Sequence, residues 1–320
     1  MDELQSVAFW VSVLAAAVRA GTPLLFTTLG EIICERSGVL NLGLEGMMLV
    51  GALGGVIGTF YTENVWLGFL IACLAGGALS LLHAYLCITL RSDQVISGIM
   101  VVFLGTGLTN FFGTNFFGQT MVGRPLKDRF ATLDVLGLSH VPVVGKILFY
   151  HDPLVYVALG LVPVVWWFLF KTRLGLAITA AGENPAAADA LGVNVGRVRY
   201  LCVFLGGLLA GAGGGYISLV MLKSWQALLT SGRGWIAVAL VIFSLWKPQR
   251  AIFGAYLFGG IEGLQLRMQA AGIQVSYHLL QMLPYLSTIV VLLFVTAGKA
   301  RQRLGAPSAL TQPYERTKGG

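Results

Sequence analysis

Long apolar runs separated by short polar segments set the pattern of this chain. Runs without sustained charge cover residues 7–29, 39–61, 65–90, 94–117, 153–170, 200–222, 234–246, 251–272 and 278–297. About 20 helical residues cross ~30 Å of hydrocarbon, so most of these runs are long enough and 234–246 is short. Lipid offers no partner to backbone N–H and C=O groups, which leaves helices as the element that satisfies them within one segment. The pattern therefore predicts an all-α, polytopic transmembrane bundle of eight to ten spans, some short or broken, with nine on the simplest reading. Arg19 lies inside the first run and marks it as a broken or interfacial segment. No linker or low-complexity stretch divides the chain, so residues 1–320 read as a single transmembrane domain.

Composition agrees with the pattern. Of 320 residues, 56% are hydrophobic and 11% charged, which places the chain in the membrane class, and 42 glycines suit closely packed helices. Cys34, Cys73, Cys87 and Cys202 lie in or beside apolar runs without paired spacing and read as packing residues. The net charge of +7 describes topology here, and no nucleic-acid partner is implied. Basic residues collect in segment 171–199, in the turn Lys247–Arg250 and in the tail 298–320. With these spans all three fall on one side, which the positive-inside rule makes cytoplasmic. Loop 118–152 then lies outside; its basic Arg124, Lys127, Arg129 and Lys146 are nearly balanced by Asp128, Asp134 and Asp152. The N-terminus, with Asp2 and Glu3 and no basic region, does not read as a cleaved signal peptide.

Segment 171–199 is the most informative stretch. Asn184 suits an N-cap and Pro185 the first helical position. Ala186–Leu191 favours helix, and Gly192 suits the C-cap. A capped helix of about two turns, flanked by Lys171, Arg173, Arg197 and Arg199, is built to dock onto another protein.

Polar groups within the spans are the second signal, because each is costly at membrane depth. Asn41 and Glu45 are spaced i, i+4 and are expected on one helix face, either lining a path or locking Glu45 to a loop cation. Glu262, Gln265 and Gln269 form an i, i+3, i+7 stripe, which Gln281 and Tyr285 of the next span could face across a solute path. Asn110, Asn115, Thr106 and Thr109 offer a weaker polar surface. Two glycine-dense patches, Gly51/Gly54/Gly55/Gly58 and Gly206/Gly207/Gly211/Gly213/Gly214/Gly215, allow two readings: broken helices at a solute path, or close helix packing. Packing is the preferred one.

Catalytic constellations are missing from the pattern. His83, His140, His151 and His278 are scattered without metal-ligand spacing, and the pair His151-Asp152 reads as a solvated turn before Pro153. Neither Gly145-Lys146 nor Gly298-Lys299 completes a phosphate-binding loop, so no ATP hydrolysis is expected of this chain and no cofactor or metal is called for.

The segment Ala186-Ala187-Ala188-Asp189-Ala190-Leu191-Gly192 resembles the Glu-Ala-Ala-x-x-x-Gly coupling motif of ABC-importer permeases. Ala186 replaces the motif's glutamate, and Glu183 stands nearby, as in the branched-chain amino acid and simple-sugar permease branch. Glu35–Met48, Phe258–Arg267 and Leu280–Tyr285 are similar to permeases of the nucleoside branch. The resemblance implies a half-transporter with a second permease (copy or paralogue), two ATP-binding subunits and an extracytoplasmic solute-binding protein, in a bacterial inner membrane. It also implies coupling through Glu183, Asn184, Pro185, Ala187, Ala188 and Gly192, and a path that includes Asn41, Glu45, Glu262, Gln265, Gln269 and Gln281. A nucleoside-like solute leads on this resemblance, with a simple sugar second. The competing classes are a proton-driven secondary transporter working through Glu45 or Glu262, and a membrane enzyme. A secondary transporter has no use for a capped docking helix, and an enzyme would need the missing constellation.

Overall fold

The computed structural model describes residues 7–118, 126, 128–141, 143–270, 282, 286, 289, 290, 293 and 305–315. Ten α-helices stand among them: α1 Val7–Arg36, α2 Leu44–Thr62, α3 Val65–Ala84, α4 Gln94–Phe117, α5 Pro153–Lys171, α6 Arg173–Glu183, α7 Pro185–Ala190, α8 Val195–Tyr216, α9 Arg233–Ser244 and α10 Pro248–Ala270. Helices α3 and α8 each end in a wider π-turn, Tyr85–Thr89 and Ile217–Met221. Six helical segments among the described residues are long and apolar enough to cross a membrane: α1 to α5, and α8 with its π-turn. Helix α9 is apolar but has only 12 residues, as the short run at 234–246 implied. Most of the run 278–297, with Gln281 and Tyr285, lies outside the described residues.

The first two spans differ from their sequence reading. Helix α1 does not break at Arg19 or end at 29; it continues for 30 residues through Pro23, Glu31 and Glu35. Those glutamates are buried, so protein rather than lipid surrounds the polar end of the helix. Ser37 and Gly38 donate their N–H groups to the carbonyls of Cys34 and Glu35, and Gly38 turns the chain at φ +89°. Residues 39–41 are then non-helical, and α2 begins at Leu44 instead of 39.

Helix α8 is the hub, packed against α1, α2 and α3, while α10 runs along α1. The two glycine patches meet each other there. A methyl group at Gly51 would lie 2.5 Å from Gly211 Cα, and one at Gly214 would lie 1.9 Å from the Met48 carbonyl oxygen. The glycines thus let two backbones touch, the packing role that small-residue spacing supports.

The described part of the loop between α4 and α5 is fastened at Asp128 and at its end. Asp128 accepts from the N–H of Val65 at the start of α3, 2.8 Å, and a short antiparallel pair joins Leu133–Asp134 to Tyr150–His151. Asp152 caps α5 by accepting from the N–H groups of Leu154 and Val155. His151-Asp152 is therefore no solvated turn. Both residues are buried, the His151 Nε2 lies 2.7 Å from the Ile147 carbonyl, and Asp152 also accepts from the Tyr216 hydroxyl at 2.9 Å. Burial pulls the His151 imidazole below its ordinary pKa.

Candidate functional site

Two sites emerge, one inside the bundle and one at its basic end. The inner one is built around the segment that leads into α9. Glu45, in the first turn of α2 and 8% exposed, accepts three hydrogen bonds. They come from the Thr230 hydroxyl (2.6 Å), the Gly232 N–H (2.8 Å) and the Gly234 N–H (2.7 Å). Two of these donors belong to the start of α9, where unpaired N–H groups and the helix dipole favour an anion. Glu45 is locked, but by a hydroxyl and backbone amides rather than by the loop cation that sequence suggested. No room is wasted: a methyl group at Gly234 would lie 2.5 Å from Glu45 Cα.

Arg233 stands between Gly232 and Gly234 and pairs with Glu262 of α10. Its Nη1 also donates to the Thr230 carbonyl at 3.0 Å. Segment 230–234 therefore brings Glu45 and Glu262 together, although 217 positions separate them in sequence. Gln265, one turn beyond Glu262, is buried, and the Gln269 Nε2 is buried without a hydrogen-bond partner among the described residues. Asn41 is not on the helix with Glu45. It sits in the break before α2, where its Oδ1 accepts from Gly43 N–H at 3.0 Å and its own N–H donates to Glu31 at 2.9 Å. An Asx turn outcompetes helix at this position, which is why i, i+4 spacing misled. Of the weaker surface, Thr109 is buried and back-bonds to Gly105, whereas Asn115 is exposed.

Sequence reasoning missed a second acidic pair. Glu31 and Glu35 are one turn apart on α1 and both buried. Glu35 accepts from the Trp246 indole at 2.6 Å, and Arg36 donates to the Trp246 carbonyl while its guanidinium stacks 4.8 Å from the Phe170 ring. The signal was available, since two glutamates at i, i+4 end an otherwise apolar helix. Both lie beyond the first apolar run, which stops at 29, and so outside the span that the pattern predicts.

The second site is segment 172–199. Thr172 caps α6 by accepting from Gly175 N–H, and Gly175, Ile178, Ala181 and Gly182 form its buried face at helical spacing. This helix was also missed, because the segment was read as a loop holding one short helix. Helix α7 matches its sequence reading: Asn184 accepts from Ala187 N–H at 3.0 Å, Pro185 is the first residue, and Gly192 adopts φ +88° just after the end. Ala188 faces inward against Ala181 and Val195, whereas Ala186, Ala187, Ala190 and Gly192 are exposed. Leu191 is 85% exposed, an apolar side chain at the tip of a polar knob.

Residues 305–315 of the tail lie against this knob. The Glu183 carboxylate accepts from the Ser308 hydroxyl (2.8 Å) and N–H (3.3 Å). The break at Ser37 and the turn at Trp246 reach the same end through Arg199 and Arg36. Segment 172–199, the turn before α10 and residues 305–315 thus gather at one end of the bundle. Among the described residues no group of three or more His, Cys, Asp or Glu could hold a metal ion.

The chain matches the family model described as branched-chain amino acid transport system/permease component over residues 13–296. It is 46% identical to the "Putative glucose ABC transporter permease protein" of Haloferax volcanii, covering 97% of this chain and 99% of that one. It is 36% identical to the nucleoside ABC transporter permease protein of Lactococcus lactis, covering 87% and 90%. It is 34% identical to the guanosine ABC transporter permease protein of Bacillus subtilis, covering 92% and 95%. The chain therefore belongs to the branched-chain amino acid transport system/permease component family: it is a multi-pass membrane permease of an ABC importer, not itself an enzyme, and works with ATP-binding subunits and a second permease.

Proposed function

We propose that this permease carries a simple sugar, with Glu262, Gln265 and Gln269 facing the solute and segment 183–192 receiving force from the ATPase. One observation carries the sugar reading: the relative named for glucose is 46% identical, against 36% and 34% for those named for nucleosides. This reverses the order suggested by the motif resemblance. The side chains do not separate the two solutes, since sugar and ribose hydroxyls bond equally well to carboxylate and amide groups. Nucleosides are the second reading, on the strength of those two relatives.

The geometry supports a route for coupling. Helix α7 presents exposed Leu191 and a small alanine face to a partner, and it joins α6 through one residue and α8 through four. Helix α8 packs against α1, α2 and α3, and α2 grips the start of α9 through Glu45. Arg233, at that start, pairs with Glu262 on α10. Movement of the knob therefore reaches the polar layer through packed backbone. Alternating access by this route, with an extracytoplasmic solute-binding protein delivering substrate, would make a weak site sufficient.

The test is uptake of labelled glucose and labelled guanosine by vesicles holding this chain with its co-purifying subunits. Glucose uptake that unlabelled glucose suppresses and guanosine does not is expected; the opposite selectivity overturns the sugar reading. Gly192→Val and Glu183→Lys should abolish uptake with membrane insertion intact, and transport surviving both would remove the knob's coupling role. Glu262→Ala with Gln265→Ala should impair uptake while the ATPase still co-purifies; wild-type uptake would return the stripe to packing.

A further inference from the structure

The tail makes contacts that coupling by α7 alone does not explain. Besides the two bonds to Glu183, the Ala309 N–H donates to the Gly182 carbonyl at 2.8 Å. The Gln312 carbonyl accepts from Arg199 Nη1 at 3.1 Å, and the same buried guanidinium donates through Nε to the Ser37 carbonyl at 3.1 Å. Glu315 pairs with Arg91 of the turn between α3 and α4 at 2.8 Å. Ala309 is buried, and Tyr314 packs on the cluster of Ala181, Ala188 and Val195. Eleven residues thus tie the end of α6, the inner face of α7, the start of α8, the break after α1 and the turn before α4.

We propose that residues 305–315 are a splint for the coupling knob, with Ser308, Gln312 and Tyr314 as positioning residues for force transfer. The inference rests on the reading of 183–192 as the coupling element. A six-residue helix has little stability of its own, so its stiffness must come from packing on its inner face. Tyr314 adds to the packing that Ala181 and Val195 give Ala188. The exposed face with Ala186, Ala187, Ala190 and Leu191 stays open, so the tail braces the knob without plugging it. A knob free to tilt would absorb the ATPase stroke; a braced one passes it to α8 and, through Arg199, to the end of α1.

The experiment uses the complete transporter in vesicles, with solute uptake and ATP hydrolysis measured together. Deleting 305–320, and separately combining Ser308→Ala with Tyr314→Ser, should lower solute moved per ATP by about threefold or more while hydrolysis and ATPase co-purification persist. An unchanged ratio in the double variant overturns the splint. A rise in uptake overturns it too, because it identifies a plug. If the deletion fails to accumulate, the double variant alone decides. Gly192→Val is the control: if it transports normally, the coupling reading itself fails, whereas its inactivity beside a normal double variant removes only the splint.

Discussion

Glu45 and Glu183 each tie together distant parts of the chain, and they do so under opposite conditions. Glu45 is sealed among helices and receives three donors, two of them fixed backbone amides at a helix start. Glu183 is exposed, and both donors in its bonds to the tail come from one residue, Ser308. Water can replace Ser308 at little cost; nothing can replace the carboxylate of Glu45. The inner glutamate is therefore expected to matter more for stability than the outer one.

That contrast can be broken by direct measurement. Glu45→Ala strands a hydroxyl and two amides and should lower stability by about 3 kcal/mol or more, read by thermal or denaturant unfolding in detergent. Glu45→Gln should lose less, since it keeps one acceptor oxygen. Glu183→Gln should stay within about 0.5 kcal/mol in the same assay, as surface changes usually do. Equal losses at the two positions would erase the distinction.

Tyr216→Phe removes a buried donor from Asp152 and should cost about 1–2 kcal/mol, which places the loop-to-α8 tie between the two glutamates. A Phe variant as stable as the parent would show that Asp152 works only as the cap of α5.

His151 sharpens the same boundary through pH. Burial lowers its pKa in the fold, so the unfolded chain takes up the proton first as pH falls. Stability should be level above about pH 7 and decline once the pH drops through about 6.5, the ordinary histidine value. His151→Gln should flatten that decline, and an unchanged profile would assign it to other groups. The smallest effect belongs to Arg91→Ala. Its partner Glu315 is 69% exposed, so the pair should contribute within about 0.5 kcal/mol. A loss above about 2 kcal/mol would mean that the tail stabilises the whole fold rather than the knob's position.

Much of this architecture was legible because its causes are local. Apolar runs of span length had to become helices in lipid, and the caps of α7 needed only Asn184, Pro185 and Gly192. Errors arose where a local rule met a distant partner. Arg19 suggested a break in α1, yet the helix runs past it to Arg36. His151-Asp152 looked like a solvated turn because Tyr216, 64 positions away, was invisible. Asn41 and Glu45 share a helix by spacing alone; the Asx turn at Asn41 delays the start of that helix to Leu44.

By itself, the sequence determined the class of element and the caps of α7, because each follows from near neighbours or from the solvent. Only the tertiary structure decided which donors satisfy each buried carboxylate, that segment 230–234 joins Glu45 to Glu262, and that residues 305–315 return to the end of α6. Hydrogen bonds between positions 29 to 189 apart leave no period in a sequence, because their geometry exists only after the helices have packed.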